Sequence, residues 1–206
     1  MIGIVMATRL EAQPFLKGLK ADEPKEHPVP TYRSDRTVLV ISGIGKVNAA
    51  IATTYCHLAF RPDLILNLGA AGSTGPSHGR GDMLHITKVV EYDRPHLGSN
   101  ASRVHIPEVL SGFPTATLAT QDHAVVDERS RKKVAAVADL VDMEGASVVH
   151  AARTFGIPCY LFKFVSDTPD HTGESDIIDY IRSCRTPFFE YITNSALPLL
   201  MQRYSG

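Results

Sequence analysis

The chain alternates short runs of apolar residues with longer stretches in which apolar and polar residues mix. Residues 2–6, 38–41 and 64–68 are almost entirely aliphatic, a pattern typical of strands that are buried on both faces. Similar short runs predict further strands at 83–90, 115–119, 140–143 and 160–165. Mixed stretches between them predict helices at about 47–60, 127–138 and 144–155.

Strands that alternate with helices indicate an α/β protein. We therefore predict a single domain over residues 1–206, with a central, mostly parallel, mixed and twisted sheet flanked by helices. Proline-bearing residues 21–30 are predicted to form a surface loop, and 91–113 give no clear pattern. The tail from about 175 to 204 is predicted to be helical, with a break near Pro187.

A helix is also expected after the first strand, because Thr8 and Glu11 have the spacing of a capping box. Pro14 would then lie in its first turns, where proline is tolerated. Gly69, Ala70, Ala71 and Gly72 directly follow the strand at 64–68 and are predicted to begin a glycine-rich loop.

Composition and charge exclude several classes of protein. Hydrophobic residues make up 44% and charged residues 21% of the 206, and the net charge is −1, so neither disorder nor an affinity for nucleic acid or a membrane surface is indicated. The 3 cysteines have no paired spacing, which argues against disulfides and a zinc ribbon. The first strand leaves no room for a basic leader, and we expect a cytoplasmic protein.

Polar groups follow the predicted strands at several places. In open α/β proteins, ligands bind beyond the carboxyl ends of the strands. Glu11, Glu144 and Asp167 follow three strands in this way, and Asp142 lies near the end of the strand before Glu144. Taken singly, each could be a cap or a charge near a helix N-terminus, but together they indicate a site for acid–base chemistry.

Other motifs give weaker or negative information. Gly43 and Gly45 nearly match the dinucleotide fingerprint, but Asn48 replaces the third glycine, so an oxidoreductase has little support. The sequence has no Walker loop, no HExxH pair and no GxSxG elbow, which argues against an NTPase, a zinc hydrolase and a serine hydrolase.

In order along the chain, the motifs resemble those of the nucleoside phosphorylase/nucleosidase family. The closest likeness is to its 5′-methylthioadenosine/S-adenosylhomocysteine nucleosidase branch. The resemblance rests on Gly3–Ala7 with Glu11, Ser42–Ala50, Asn67–Gly72, Val141–Ala146 and Val165–Asp167. Such a family resemblance implies a purine nucleosidase that cleaves an N-glycosidic bond without a metal or cofactor. It also implies a homodimer.

The resemblance further assigns roles to individual residues. Asp167 would protonate N7 of the leaving purine, and Glu11 would position the attacking water. Glu144 would bind the ribose hydroxyls. The remaining substrate contacts would come from Met143, Ala70, Ala71, Gly72, Ser166, His123 and Val125.

These roles agree with the chemistry of glycosidic cleavage. The purine leaves more easily when a carboxylic acid protonates it, and carboxylates stabilise the positive charge that develops on the sugar. The related phosphorylases carry basic phosphate-binding residues where this chain has Glu11 and Asn67, so water is the expected nucleophile. Arg9 and Lys46 are near enough in sequence to compensate, and a phosphorylase therefore stays as an alternative.

The chain also departs from the nucleosidase pattern at the substrate. Ala70 replaces a serine, Thr8 replaces a methionine, and 121–125 lacks the phenylalanine that stacks on adenine, a role His123 could fill. The 5′ substituent is therefore open, and a futalosine-like nucleoside is a second candidate. A nucleoside-binding protein without catalysis is the non-enzymatic alternative.

Overall fold

The protein has a central sheet covered by helices on both faces. The structure, a computed structural model, describes residues 1–20, 25–95, 104–125, 127–170 and 173–204. Its strands are β1 (Ile2–Met6), β2 (Thr31–Arg33), β3 (Thr37–Ile41), β4 (Leu64–Ser73), β5 (Met83–Glu91), β6 (Val104–His105), β7 (Thr115–Thr120), β8 (Leu140–Asp142) and β9 (Cys159–Asp167). Its helices are α1 (Arg9–Gly18), α2 (Lys46–Phe60), α3 (Glu128–Ala135), α4 (Gly145–Thr154), α5 (Glu174–Tyr191) and α6 (Leu197–Arg203).

The strand order in the sheet is β2-β3-β1-β4-β8-β7-β5-β6. Strand β9 pairs with both β4 and β5, and thereby closes β4, β8, β7, β5 and β9 into a ring. Parallel pairs predominate: β1 runs parallel to β3 and β4, β4 to β9, and β7 to β5 and β8. The predicted mostly parallel, mixed α/β sheet is confirmed, with part of it closed on itself.

The direction of β8 differs from what a simple open sheet would give. It runs antiparallel to β4, with Val141 opposite Gly72 and Leu140 opposite Ser73. The residues that follow β8 therefore pass alongside the middle of β4 and do not extend beyond its carboxyl end. This geometry brings Asp142 and Glu144 toward Glu11, which lies in the helix that follows β1.

Two hydrophobic clusters hold the helices on the sheet. One cluster includes Ala52 and Cys56 of α2 with Val148 and Ala152 of α4. The other contains Phe15 of α1, together with residues of α5 and α6. Burial of these side chains, at about 25 cal/mol for each Å² removed from water, provides most of the favourable free energy of folding.

Two predictions about local structure are wrong. Gly69–Gly72 do not begin a loop, since β4 continues to Ser73 and pairs with β9 through this segment. The helical tail does not break at Pro187, because α5 continues to Tyr191 and a π-helical turn at Ile192–Ala196 joins it to α6. Strands β2 and β6 were not predicted, since 3 and 2 residues are too short for a clear pattern.

Residues 21–24 of the predicted loop and residues 96–103 of the unassigned stretch lie outside the described residues. Within the described part of the chain, no helix combines the length and the apolar character that a membrane span requires.

Helix α1 contains the predicted capping box: Thr8 accepts from the Glu11 N–H, and the Glu11 carboxylate accepts from the Thr8 N–H. Pro14 lies in the interior of this helix and has no N–H to donate to the carbonyl of Leu10. Arg185 of α5 donates to that carbonyl at 2.9 Å. The helix that carries Glu11 is therefore anchored to α5 at the point where its own hydrogen bonding is interrupted.

We predict that Arg185→Met lowers the free energy of unfolding by about 1–2 kcal/mol, because the Leu10 carbonyl loses a charged donor. Chemical denaturation with circular dichroism measures the change. Arg182→Met is the matched control, since Arg182 lies on the same helix, is exposed and pairs with the exposed Asp179. Equal stabilities of the two variants would contradict this role of Arg185.

Candidate active site

Glu11 is buried at the start of α1 and faces the backbone of β4. Its Oε1 accepts a hydrogen bond from the Ala70 N–H at 2.9 Å. Its Oε2 accepts from the Thr8 hydroxyl at 2.6 Å and from the Thr8 N–H at 3.1 Å. Three donors therefore fix the orientation of the carboxylate, and Thr8 belongs to this arrangement.

Two glycines let carboxylates lie directly on β4. A Cβ at position 69 would be 2.9 Å from Glu11 Oε1, and a Cβ at position 72 would be 2.6 Å from Asp167 Oδ2. Real Cβ atoms essentially never come closer than 3.0 Å to another heavy atom. Gly69 and Gly72 thus provide the space in which Glu11 and Asp167 reach the same strand.

Asp167 is the last residue of β9 and is buried. Its Oδ2 accepts from Arg131 Nη2 at 2.8 Å, and its Oδ1 accepts from the Ser166 hydroxyl at 2.8 Å. The pairing of β9 with β4 shifts register at Ala71/Gly72, so that Gly72 lies opposite Asp167. This irregularity sets the carboxyl group against Gly72.

Glu144 connects the site to the turn that contains Gly43 and Gly45. It precedes α4 but makes no side-chain capping bond to that helix. Its Oε1 accepts instead from the Gly45 N–H at 2.8 Å. Glu144 nevertheless lies at the N-cap position of α4. Asp142 provides the side-chain cap, as expected from the sequence, because its Oδ2 accepts from the Gly145 N–H at 2.9 Å.

A buried lysine lies among these carboxylates. Lys163 of β9 is 2% exposed, and its ammonium group is 2.9 Å from Asp142 Oδ2. Asp142 Oδ1 accepts from the Thr120 hydroxyl at 2.6 Å. The carboxylates of Asp142, Glu144 and Glu11 hold the pKa of Lys163 above its ordinary value despite burial, so the lysine is a cation.

The charge state of Glu144 depends on its neighbours. Burial raises its pKa to about 7, the negative charges of Asp142 and Glu11 act in the same direction, and Lys163 opposes them. Glu144 can therefore exchange a proton near neutral pH. Its charge interacts with the charges of Glu11 and Lys163.

The other residues predicted to contact the substrate range from buried to exposed. Ala71, Gly72 and Ser166 are buried beside Asp167, while Ala70 and Met143 are half-buried. Val125 is buried, and its side chain packs in a small cluster with Val134 and Val141. His123 is exposed, and its carbonyl accepts from the Gln121 side chain at 2.8 Å. A role in binding stays a prediction for each of them.

Sequence reasoning missed Lys163 and Arg131. Lys163 falls in an otherwise apolar strand, and a charged residue in the middle of such a strand is the signal that could have revealed it. Arg131 belongs to a charged helix and gave no comparable signal, because Arg129, Lys132 and Lys133 are cations beside it in sequence. Its contact with Asp167 depends on tertiary structure alone.

The two cations that could have served a phosphate are engaged elsewhere. Lys46 lies 2.6 Å from Asp93, with Glu91 and Asp122 within 3.8 Å. Arg9 pairs with Glu26 on the surface at 2.6 Å. Within the described ranges, no three histidine, cysteine or carboxylate side chains are arranged to hold a metal ion.

Known proteins resemble this chain in sequence over most of its length. The aminodeoxyfutalosine nucleosidase of Campylobacter jejuni is 27% identical over an alignment of 208 positions, which covers 87% of this chain and 91% of that protein. The 5′-methylthioadenosine/S-adenosylhomocysteine nucleosidase of Buchnera aphidicola is 29% identical over an alignment of 169 positions, which covers 70% of this chain and 72% of that protein.

Solved structures share the fold. The 5′-methylthioadenosine/S-adenosylhomocysteine nucleosidase of Helicobacter pylori, crystallised with butyl-thio-DADMe-Immucillin-A, superposes with a TM-score of 0.84 at 22% identity, covering 94% of this chain and 97% of that one. The phosphorylase superfamily pattern matches residues 1–128 and 118–186. The protein therefore belongs to the phosphorylase superfamily.

Proposed function

We propose that the protein hydrolyses the N-glycosidic bond of a purine nucleoside and releases the free base. The observation that carries this proposal is the placement of Glu11 and Asp167 on the glycine positions of one strand segment, Gly69–Gly72. Glu144 lies in the same charged group as Glu11. Catalytic base, catalytic acid and sugar-binding carboxylate would thus act on one nucleoside.

Glu11 is proposed as the base that activates water. A carboxylate has about four lone-pair positions, and three of those on Glu11 accept from Thr8 and Ala70. The remaining position can accept a proton from water as the water oxygen attacks C1′ of the sugar. Because the carboxylate is already oriented by three donors, little freedom is lost when water binds.

Asp167 is proposed as the acid that serves the leaving group. Its proton passes to N7 of the purine while the electron pair of the C1′–N9 bond moves into the base. The sugar meanwhile carries positive charge, which the neighbouring carboxylates stabilise. Glu144 is assigned to the ribose hydroxyls, where two hydrogen bonds would orient the ring.

Water is favoured over phosphate by the charges at the site. A phosphate near Glu11 would meet repulsion of about 4 kcal/mol for each pair of unit charges at contact distance, at an effective dielectric of about 20. Lys163 lies nearby, but Asp142 neutralises it at 2.9 Å. Lys46 and Arg9 are paired with other carboxylates.

The substrate is proposed to be a 5′-modified adenosine. The relatives named above act, by their names, on aminodeoxyfutalosine in one case and on methylthioadenosine or adenosylhomocysteine in the other. These nucleosides share the adenine base and differ at the 5′ position. They are therefore the panel in which the natural substrate is to be sought.

The purified protein is expected to release adenine from at least one of these nucleosides at a rate independent of phosphate. Chromatographic measurement of adenine in phosphate-free buffer and in buffer with added phosphate tests both points. A rate proportional to phosphate, with the 1-phosphate of the 5-modified ribose as product, would instead identify a phosphorylase. Tight nucleoside binding without turnover over hours would refute an enzymatic function.

Asp167→Asn and Glu11→Gln are each expected to lower kcat by at least about 100-fold while nucleoside binding persists, since each amide removes a proton-transfer group and little volume. Turnover by chromatography and affinity by calorimetry measure the two effects. Asp170→Asn and Glu190→Gln, at exposed positions, are the matched controls. Wild-type turnover in either amide variant would remove that carboxylate from the mechanism.

We propose further that two copies of the chain form a homodimer through α2. Val47, Ile51 and Leu58 are 69%, 55% and 58% exposed and follow helical spacing on one face, with Ile44 beside them in the preceding turn. An exposed apolar stripe of this kind is typical of a protein interface, and a two-fold axis lets one surface cover itself. Ile44 also directly precedes Gly45, which donates to Glu144.

The double variant Val47→Asp with Ile51→Asp is expected to be a monomer, because two carboxylates on each copy would face each other across the two-fold axis. Light scattering after size-exclusion chromatography gives the mass of each form. Val137→Asp, at an exposed apolar position away from this stripe, is the control and should keep the mass of the unchanged protein. A dimeric double variant, or a monomeric wild type, would disprove this interface.

A further inference from the structure

Arg131 is a buried cation that the chemistry proposed above does not use. It lies on α3 and is 2% exposed. Its guanidinium donates to the carbonyl of Ser73 at the end of β4, to the carbonyl of Val125 at 2.7 Å, and to Asp167 Oδ2 at 2.8 Å. One side chain thus connects the end of β4, the segment before α3 and the proposed catalytic acid.

These contacts restrain the guanidinium in position and in charge. Hydrogen bonds to two backbone carbonyls hold the guanidinium where it contacts Asp167, and rotation of the carboxyl group would break that contact. An arginine side chain does not lose its proton in proteins, so it cannot itself supply the proton for the leaving base. Its influence must act through the carboxyl group that it contacts.

The two oxygens of Asp167 are consequently not equivalent. Oδ2 accepts from a permanent cation, whereas the donor to Oδ1 among the described residues is the neutral hydroxyl of Ser166, at 2.8 Å. Negative charge is stabilised best on the oxygen that faces the guanidinium. A proton on the carboxyl group is correspondingly favoured on Oδ1.

We propose that Arg131 is a positioning residue that directs the transferable proton of Asp167 to Oδ1 and stabilises the carboxylate left after the transfer. This inference rests on the proposed nucleosidase function. The Oδ1–H bond of Asp167 breaks, the purine N7–H bond forms, and the electrons of the C1′–N9 bond remain with the base. The charge that appears on Asp167 in this step is the charge that Arg131 faces.

A purely structural role for the pair makes a different prediction. Buried ion pairs can hold elements together without any part in catalysis, and removing one partner destabilises the fold. Such a loss would reduce the amount of folded enzyme and lower the rate for every substrate by the same factor. The proposed role instead affects only reactions that need a proton on the leaving group.

The test compares two leaving groups in Arg131→Met, a neutral variant of similar length. We expect kcat for the purine nucleoside to fall roughly 100-fold, and the rate for 4-nitrophenyl riboside, whose leaving group needs no proton, to stay near the wild-type value. The ratio of the two rates in one preparation does not depend on the folded fraction. Arg129→Met, on the exposed face of α3, is the control and should leave both rates unchanged.

A double-mutant cycle with Asp167→Asn examines the same point through the nucleoside alone, in single-turnover reactions with excess enzyme. If Arg131 acts through Asp167, adding Arg131→Met to Asp167→Asn causes no further loss of rate. Arg131→Lys, which keeps the charge but not the three-way contact, should have a rate between those of Arg131→Met and the wild type. Its nucleoside affinity should stay within a few-fold of the wild type.

Equal losses for the two leaving groups, or additive losses in the cycle, would overturn the proposal and leave Arg131 a structural residue. A weakened nucleoside affinity with unchanged kcat would do the same. A wild-type enzyme that releases no base from any nucleoside would refute the proposed function itself. An active wild type with an undiminished Arg131→Met variant would refute only this inference.

Discussion

The site depends on the close approach of two carboxyl groups to a strand backbone that has no side chains at two positions. Glu11 and Asp167 occupy the volume that Cβ atoms would take at positions 69 and 72 of β4. The strand segment supplies both this space and a backbone N–H, at Ala70, that holds one of the two groups. Residues 69–72 remain hydrogen-bonded to β9. The backbone that orients the two carboxyl groups is therefore part of the sheet.

The balance of buried charge is the second constraint. Glu11, Asp142, Glu144 and Asp167 are buried acids, and Lys163 and Arg131 are the buried cations that contact Asp142 and Asp167. Isolated charges in a low-dielectric interior are costly, and the raised pKa of Glu144 is one response to the excess of acids. In the proposed reaction, positive charge develops on the sugar and would offset the excess negative charge of the buried acids. The site would therefore stabilise the transition state more than the neutral substrate.

Much of the fold could be predicted from sequence because buried strands and amphipathic helices have distinct periodicities. The capping box of Thr8 and Glu11 is a local signal and was identified in the same way. The extension of β4 through residues 69–73 was not predicted, because glycine at 69 and 72 usually marks a turn. Pairing with β9 and β8 keeps this segment extended. The helix through Pro187 likewise depends on packing. The acids could be identified because they lie at or just beyond the ends of strands. Arg131 could not, because nothing in its own helix indicates a partner 36 residues away.

Strand β9 follows all the other strands along the chain yet pairs between β4 and β5. Many of the contacts that complete the sheet therefore join residues far apart in sequence, and such topologies fold slowly because loops must close before the contacts can form. Until β9 inserts, β4 and β5 present unpaired edges that invite association with other chains. Both Lys163 and Asp167 arrive with this strand, so the chain cannot acquire its complete set of buried charges before its most non-local step is finished.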